Sequence, residues 1–354
     1  MKIGRTIFST SIIKKTIVGL FLLIFLGILV GVVQFWKFVY RPNVRLNEPS
    51  AYLYIPTGSK FSDVCNILLK NGYVSNISSF EWVAERKGYP NHVKPGRYKI
   101  SNDMSNKELV EMLRSGRQEP VRLVLKKFRT VYQLGGYLGR NLEPDSAQFV
   151  KILNDNSYLA DYGMDNTTVL SLFIPNTYFV FWNITEKELL NRMYDEYKKF
   201  WNSERLKKAE SMGFKPVEVV TLASIIQEES DVEEEYPVIA GVYINRLKRG
   251  IPLQADPTVK YANGDFKIKR ILKKYLSISS PYNTYLNKGL PPGPICTPSP
   301  AAIDGVLNYR HHDYLYFCAK PDFSGRHVYA RTLIEHNRNA QNYQKALDRL
   351  NIKK

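Results

Sequence analysis

The chain has 354 residues, of which 44% are hydrophobic and 23% charged, an ordinary globular composition with room for two domains and a sizeable core. Its formal net charge of +17 suits a polyanionic neighbour such as nucleic acid, an anionic membrane surface or an acidic polymer. No zinc-finger spacing, RNP-like motif or Walker sequence supports the first, and three cysteines (Cys65, Cys296, Cys318) without CxxC spacing exclude a disulfide framework and read as buried thiols.

No residue between Lys15 and Lys37 is charged, and Ile17 to Val33 is an unbroken apolar run with Phe35 and Trp36 at its margin. That length spans a bilayer, exceeds a signal-peptide core and lacks a small-x-small cleavage site, so it reads as an uncleaved anchor. Lys2, Arg5, Lys14 and Lys15 precede it without an acid, which places the N-terminus in the cytoplasm and the rest of the chain beyond the membrane. Nucleic acid is thereby excluded as a partner, and a cell-wall polymer is favoured.

Arg41 to Ser50 reads as an extended linker. A compact α+β module follows: strands at Tyr52 to Ile55 and Arg97 to Ile100, helices at Lys60 to Asn71 and Phe80 to Lys87, and a helix opened by the capping box of Ser105 and Glu108 and closed by Gly116. With no nucleophile or metal cluster, the module is a binding or spacing element. Val121 to Leu125 starts the larger domain as a strand, followed by helices at Val131 to Leu142 and Ala147 to Leu153, then a loop at Phe173 to Tyr178. Thr185 and Glu188 cap a long charged helix reaching past Trp201, and Gly213 with Pro216 separates it from the next.

That next helix, Val219 to Ser230, is the one on which the function turns. Leu222, Ile225, Ile226 and Glu229 share a face at helical periodicity, so Glu229 lies on the buried stripe. Partial desolvation favours the neutral carboxyl and raises its pKa toward the range of a general acid at neutral pH. Glu228 points elsewhere. The acidic run at 231–235 reads as a solvated or dipole-favoured turn, with no metal called there. Tyr236 to Lys248 is an amphipathic helix carrying Asn245 and Arg246. Leu253 to Thr258 and Pro281 to Tyr285 are loops whose hydrogen-bonding groups and tyrosine rings suit sugars. Gly289 to Pro294 is a stiff turn, and strands at Tyr314 to Ala319 and His327 to Ala330 precede a helix opened by Thr332 and Glu335. His327 and His336 read as hydrogen-bonding core histidines. No GxSxG elbow or cofactor motif occurs.

Several separated phrases in order, Leu222 to Ser230, Val242 to Leu247, Leu253 to Thr258, Pro281 to Tyr285, Gly289 to Pro294 and Glu335-His336-Asn337, resemble the endolytic murein transglycosylases, the YceG-like family. The resemblance covers nearly the whole chain. It implies a fold of class α+β: a cytoplasmic N-terminus (1–16), a transmembrane helix (17–36), a linker (37–50), a LysM-like module (51–118) and a catalytic domain (119–354). Leu170 to Tyr178 departs from the family's acidic phrase, lacking its Glu and its Asp, so no catalytic duty is assigned there.

By this resemblance Glu229 is the catalytic glutamate, the residue that the helical face picks independently. It is expected to cleave the MurNAc-β-1,4-GlcNAc bond within nascent peptidoglycan strands as acid and then base, leaving 1,6-anhydroMurNAc ends, with no cofactor and no metal. Asn245, Gln254, Tyr282 and Asn283 are expected to hold the sugar, Ser230 to orient Glu229, and Asp256 to line the substrate site. The alternatives are a hydrolytic muramidase using Glu229 and Asp256, or a non-catalytic murein-binding protein acting through the module. Expected partners are peptidoglycan glycan strands and the bacterial cytoplasmic membrane, crossed once, with peptidoglycan synthases as candidate protein partners. Gly27 and Gly31 form a GxxxG that favours helix pairing.

Overall fold

The computed structural model describes residues 10–268 and 271–349. Lys2 and Arg5, invoked for the membrane orientation, lie outside the described residues. The chain divides into two compact units, Met1–Pro120 with Phe181–Asn183, and Val121–Val180 with Ile184–Lys354.

The first unit begins with α1 (Thr10–Tyr40). Its Lys14–Tyr40 stretch is long and apolar enough to cross a membrane, and the large apolar side chains from Ile17 to Trp36 are exposed. An exposed apolar sleeve of that length is compatible with a single membrane span. The helix runs beyond Trp36, so the start of the expected linker is helical. Its remainder is also no free linker: Pro42 bridges Ser105, Val44 bridges Val74 and is wholly buried, and Asn43 donates its backbone N–H to Met104 O.

β1 (Ser50–Ile55) pairs antiparallel with β2 (Gly96–Ser101), from Ser50 opposite Ser101 to Ile55 opposite Gly96. α2 (Phe61–Lys70), α3 (Ile77–Arg86) and α4 (Asn106–Ser115) complete the module. Alternate strand residues Leu53, Ile55, Tyr98 and Ile100 are fully buried in a core shared with Phe80 and Leu109. α3 starts earlier than the apolar pattern suggests because the Asn76 side chain accepts the Ser79 N–H as N-cap. The Ser105–Glu108 capping box and the left-handed Gly116 stop bound α4.

In the second unit β3 (Val121–Val124) pairs antiparallel with β4 (Thr177–Val180), so the expected loop at 173–178 ends in a strand. Between them lie α5 (Val131–Asn141), α6 (Ser146–Leu153) and α7 (Asn156–Leu159). The expected single long helix is two: α8 (Glu186–Phe200) and α9 (Ser203–Ser211), divided where Trp201 is buried and Asn202 caps the second.

α10 (Pro216–Glu229) is the centre of this unit, packed against α11 (Tyr236–Lys248), α12 (Asp256–Asn263) and α14 (Pro300–Leu307), with the one-turn α13 (Lys273–Leu276) lying before α14 in the chain. Every residue from Val219 to Ile226 is buried, so α10 is enclosed on all sides rather than presenting a single apolar face. β5 (Tyr316–Ala319), β6 (His327–Ala330) and α15 (Leu333–Arg349) close the unit.

Candidate active site

Glu229 is the last residue of α10, where the helix emerges from the core into a cavity of about 430 Å³. From α11, Tyr243 donates its hydroxyl to Glu229 Oε1 at 2.6 Å. Burial pushes the Glu229 carboxyl up to about 7; the Tyr243 bond opposes that shift, and the nearby charge of Asp256 adds to it. The side chain still keeps partial access through the cavity. Glu228 faces away and is bound by Lys127 and Arg129, each at 2.8 Å. Burial raises its pKa, but these two cations outweigh burial and hold it below the usual glutamate value.

Three residues after Tyr243, Arg246 shares its face of α11. Its Nε donates to Leu315 O at 2.6 Å, and its Nη1 donates to Leu253 O at 3.0 Å and Gln254 Oε1 at 3.3 Å. The guanidinium carbon stands 4.9 Å from the Tyr316 ring centroid. Among the described residues Arg246 has no carboxylate partner, so a nearly buried positive charge stands in the cavity wall.

Asp256 opens α12, and its Oδ1 accepts the Tyr285 hydroxyl at 2.6 Å. Both line the cavity with Glu229. Gln254 also lines it and has a left-handed backbone, φ +49°, unusual outside glycine and the kind of local strain that a surrounding structure must hold. The opposite wall comes from β5, β6 and the start of α15, including Phe317, His327 and His336. Phe317 meets Tyr243 edge-on, with centroids 5.8 Å apart.

Residues 53–342 match the YceG-like family. The chain belongs to the YceG-like family. It is 30% identical over 332 residues to the endolytic murein transglycosylase of Bacillus subtilis, covering 88% of this chain and 90% of that one. It is 29% identical to the protein of that name from Streptococcus pneumoniae serotype 2, covering 80% of this chain but 57% of the pneumococcal one. A crystal structure of a YceG-like protein from Listeria monocytogenes superposes with a TM-score of 0.54 at 28% identity, covering 82% of this chain and 98% of that one.

In this YceG-like chain, three expected site residues share the cavity: Glu229, Gln254 and Asp256. The other four do not face it. The Ser230 hydroxyl donates to Glu235 Oε2 at 3.2 Å and accepts from Val232 N at 3.1 Å, so it organises the turn after α10 and does not touch Glu229. Asn245 spends its Nδ2 on His312 O at 2.6 Å and Tyr314 O at 3.0 Å. Tyr282 packs on Tyr261 with centroids 4.6 Å apart. Asn283, wholly buried, donates to Leu276 O and Ile278 O, both at 2.9 Å, and accepts the Tyr285 N–H at 3.0 Å. Asn283 thereby fixes the turn that presents Tyr285.

Sequence reasoning missed Tyr243, Arg246, Tyr285 and His336 as site residues. The available signal was a Tyr and an Arg three apart on one helix, too common to single out. It also misread Glu235 within the acidic run: Glu235 is buried, bound by His327 Nδ1 at 2.9 Å, His327 N at 2.8 Å and the Tyr329 hydroxyl at 3.1 Å. Burial raises the Glu235 pKa, but the His327 and Tyr329 bonds prevail and hold it low. His327 is a hydrogen-bonded histidine as expected, whereas the buried Nδ1 of His336 has no partner among the described residues. Cys318, expected to be buried, is half-buried at the cavity wall.

Proposed function

We propose that this chain is a membrane-anchored lytic transglycosylase that cuts the MurNAc-β-1,4-GlcNAc bond within peptidoglycan strands. The observation that carries the reading is one carboxyl, Glu229, held by burial near neutrality in a polar cavity. Such a group is partly protonated at neutral pH and can serve as acid and then as base. Glu229 gives its proton to the glycosidic oxygen as the C1–O bond breaks. The muramyl C6 hydroxyl oxygen then bonds to C1, and its proton passes to the Glu229 carboxylate. No water is consumed, and the enzyme returns to its starting protonation.

The Tyr243 hydroxyl holds Oε1, which leaves Oε2 to face the sugar. Asp256, steadied by Tyr285, supplies negative charge for the oxocarbenium-like transition state. Arg246 and Gln254 offer hydrogen bonds to sugar substituents. Asp256 in the same cavity also favours a second reading, hydrolysis, in which it would activate a water as the second carboxylate.

The N-terminal module is read as LysM-like and as a positioner of the strand. The anchor is read as a single span of the bacterial cytoplasmic membrane, with Lys14 and Lys15 on the cytoplasmic side and both units outside. Glu229→Gln tests the reading. Removal of a general acid lowers turnover by about 10²–10⁴-fold, and circular dichroism and thermal melting should show the fold retained. Undiminished strand cleavage by that variant contradicts the assignment.

A further inference from the structure

A second cavity, of about 290 Å³, lies in the first unit at the end of α1. Gln34, Lys37 and Phe38 fall at i, i+3 and i+4 on one face of the helix, and with Arg41, the first residue past its end, they form one wall. Ser75, Asn76 and Ser79 form the facing wall, and Arg45 stands at its side. No Asp or Glu lines it. Arg45 is paired with Asp103 at 2.7 Å, a bond between exposed groups that contributes little and exchanges readily. Lys37 and Arg41 have no acidic partner among the described residues.

The facing wall adds donors. Asn76 spends its side-chain oxygen on the Ser79 N–H, but the first-turn amides of Ile77 and Ser78 have no intrahelical acceptor, and the helix dipole points its positive end there. The two walls are fixed to each other. Phe38 O accepts the Asn106 Nδ2 at 2.8 Å, Val39 is buried, and Phe35 and Phe38 meet Trp82 edge-on at centroid distances of 5.9 and 5.8 Å.

Depth identifies the ligand's chemistry. Ile17 to Trp36, at about 1.5 Å per residue, spans about 30 Å, the thickness of a bilayer's hydrocarbon core. Lys37 then stands at the hydrocarbon boundary and Arg41 about 6 Å further out, within the layer of lipid phosphates.

We propose that this cavity binds the phosphate of a membrane lipid on the side of the membrane where the module lies, through Lys37, Arg41 and the α3 N-terminus. The inference rests on the reading that α1 spans the bilayer. An ammonium and a guanidinium line the cavity across from the residues that open α3, Ser75, Asn76 and Ser79, and Arg45 can swing from Asp103 to join them. Two lipids carry the required group: an anionic phospholipid such as phosphatidylglycerol, and a polyprenyl diphosphate.

The test uses the full chain in phosphatidylcholine nanodiscs containing phosphatidylglycerol with a photoreactive headgroup, crosslinked and mapped by peptide mass spectrometry. The expected result is labelling concentrated in 34–45 and 75–79. In Lys37→Gln/Arg41→Gln that labelling should fall about tenfold or more, since each basic residue at the surface contributes about a factor of five. Both substituted side chains are exposed, and retained strand cleavage checks that the variant folds.

Adding polyprenyl diphosphate assigns the source: displacement of the label at equal mole fraction makes the diphosphate the preferred ligand, and persistence of the label makes it the phospholipid. Labelling unchanged by the double substitution, or spread evenly over both ends of α1, overturns the proposal. A chain that does not enter the nanodisc overturns the spanning reading itself, and the proposal with it.

Discussion

Glu229 is a carboxyl whose surroundings work against its charge, and that has two measurable consequences. The first concerns stability. Its folded pKa of about 7 lies above the unfolded value of about 4.3. The folded state therefore binds the extra proton, and stability falls as pH rises from about 4 through about 7. Glu229→Gln removes that penalty. Allowing for the side chain's residual access, the variant should gain about 1–3 kcal/mol over the parent between pH 4 and pH 8, read from urea unfolding at several pH values. A constant difference across pH would contradict a raised pKa. The second consequence is kinetic. In the proposed mechanism the acid form starts the reaction, so kcat/KM should fall as pH climbs past about 7. Tyr243→Phe deletes a bond that favours the ionised form, and its descending limb should lie at higher pH than the parent's.

At the scale of elements, the site depends on how closely α11 accepts its neighbours. A Cβ on Gly241 would stand 2.4 Å from Arg310 O and 2.6 Å from His312 Nε2. Only glycine allows the 310–314 segment to lie on the helix, where Asn245 and Arg246 then tie down the carbonyls of His312, Tyr314 and Leu315. Gly241→Ala should cost about 1–3 kcal/mol in denaturant unfolding and raise KM by shifting the β5 wall. A variant of unchanged stability would show that the segment moves freely.

Elements with a local signal were legible in sequence: the Ser105–Glu108 and Thr185–Glu188 boxes open helices where their spacing says, and Tyr236 to Lys248 is helical over its expected length. Those set by tertiary burial were not. Trp201 ends α8 with its ring buried, and the break carries neither Gly nor Pro, only the Asn202 cap of the next helix. Asp256-Pro257 looks like turn chemistry yet begins α12, with Pro at the first turn where its missing N–H costs nothing. The site divides the same way. That Glu229 lines a cavity was readable because an acid sits at the end of an apolar run, whereas Ser230, Asn245, Tyr282 and Asn283 were chosen for residue type. The polar atoms of Ser230, Asn245 and Asn283 turn out to hold loops and turns, and Tyr282 packs on Tyr261, roles that a sequence does not distinguish from holding a sugar.

For the molecule as a whole, the end of α1 and the rest of the first unit are one piece of structure. A soluble form cut at Arg41 removes Phe35 and Phe38 from Trp82, strips Val39 from the core and leaves Asn106 without its Phe38 acceptor. Such a form should melt several degrees below one that starts at Gln34, by differential scanning calorimetry in the same detergent, because a buried contact and a buried hydrogen bond are each worth about 1 kcal/mol or more. Equal melting temperatures would make the end of α1 a mere tether.

In the proposed mechanism one carboxyl does both proton transfers while the substrate's own hydroxyl is the nucleophile. The most direct test is mass spectrometry of the glycan ends that the full chain releases from uncrosslinked murein, beside Glu229→Gln. The expected ends are 1,6-anhydromuramyl and vanish in the variant; reducing muramyl ends would contradict that mechanism and make Asp256 the second carboxylate of a hydrolase.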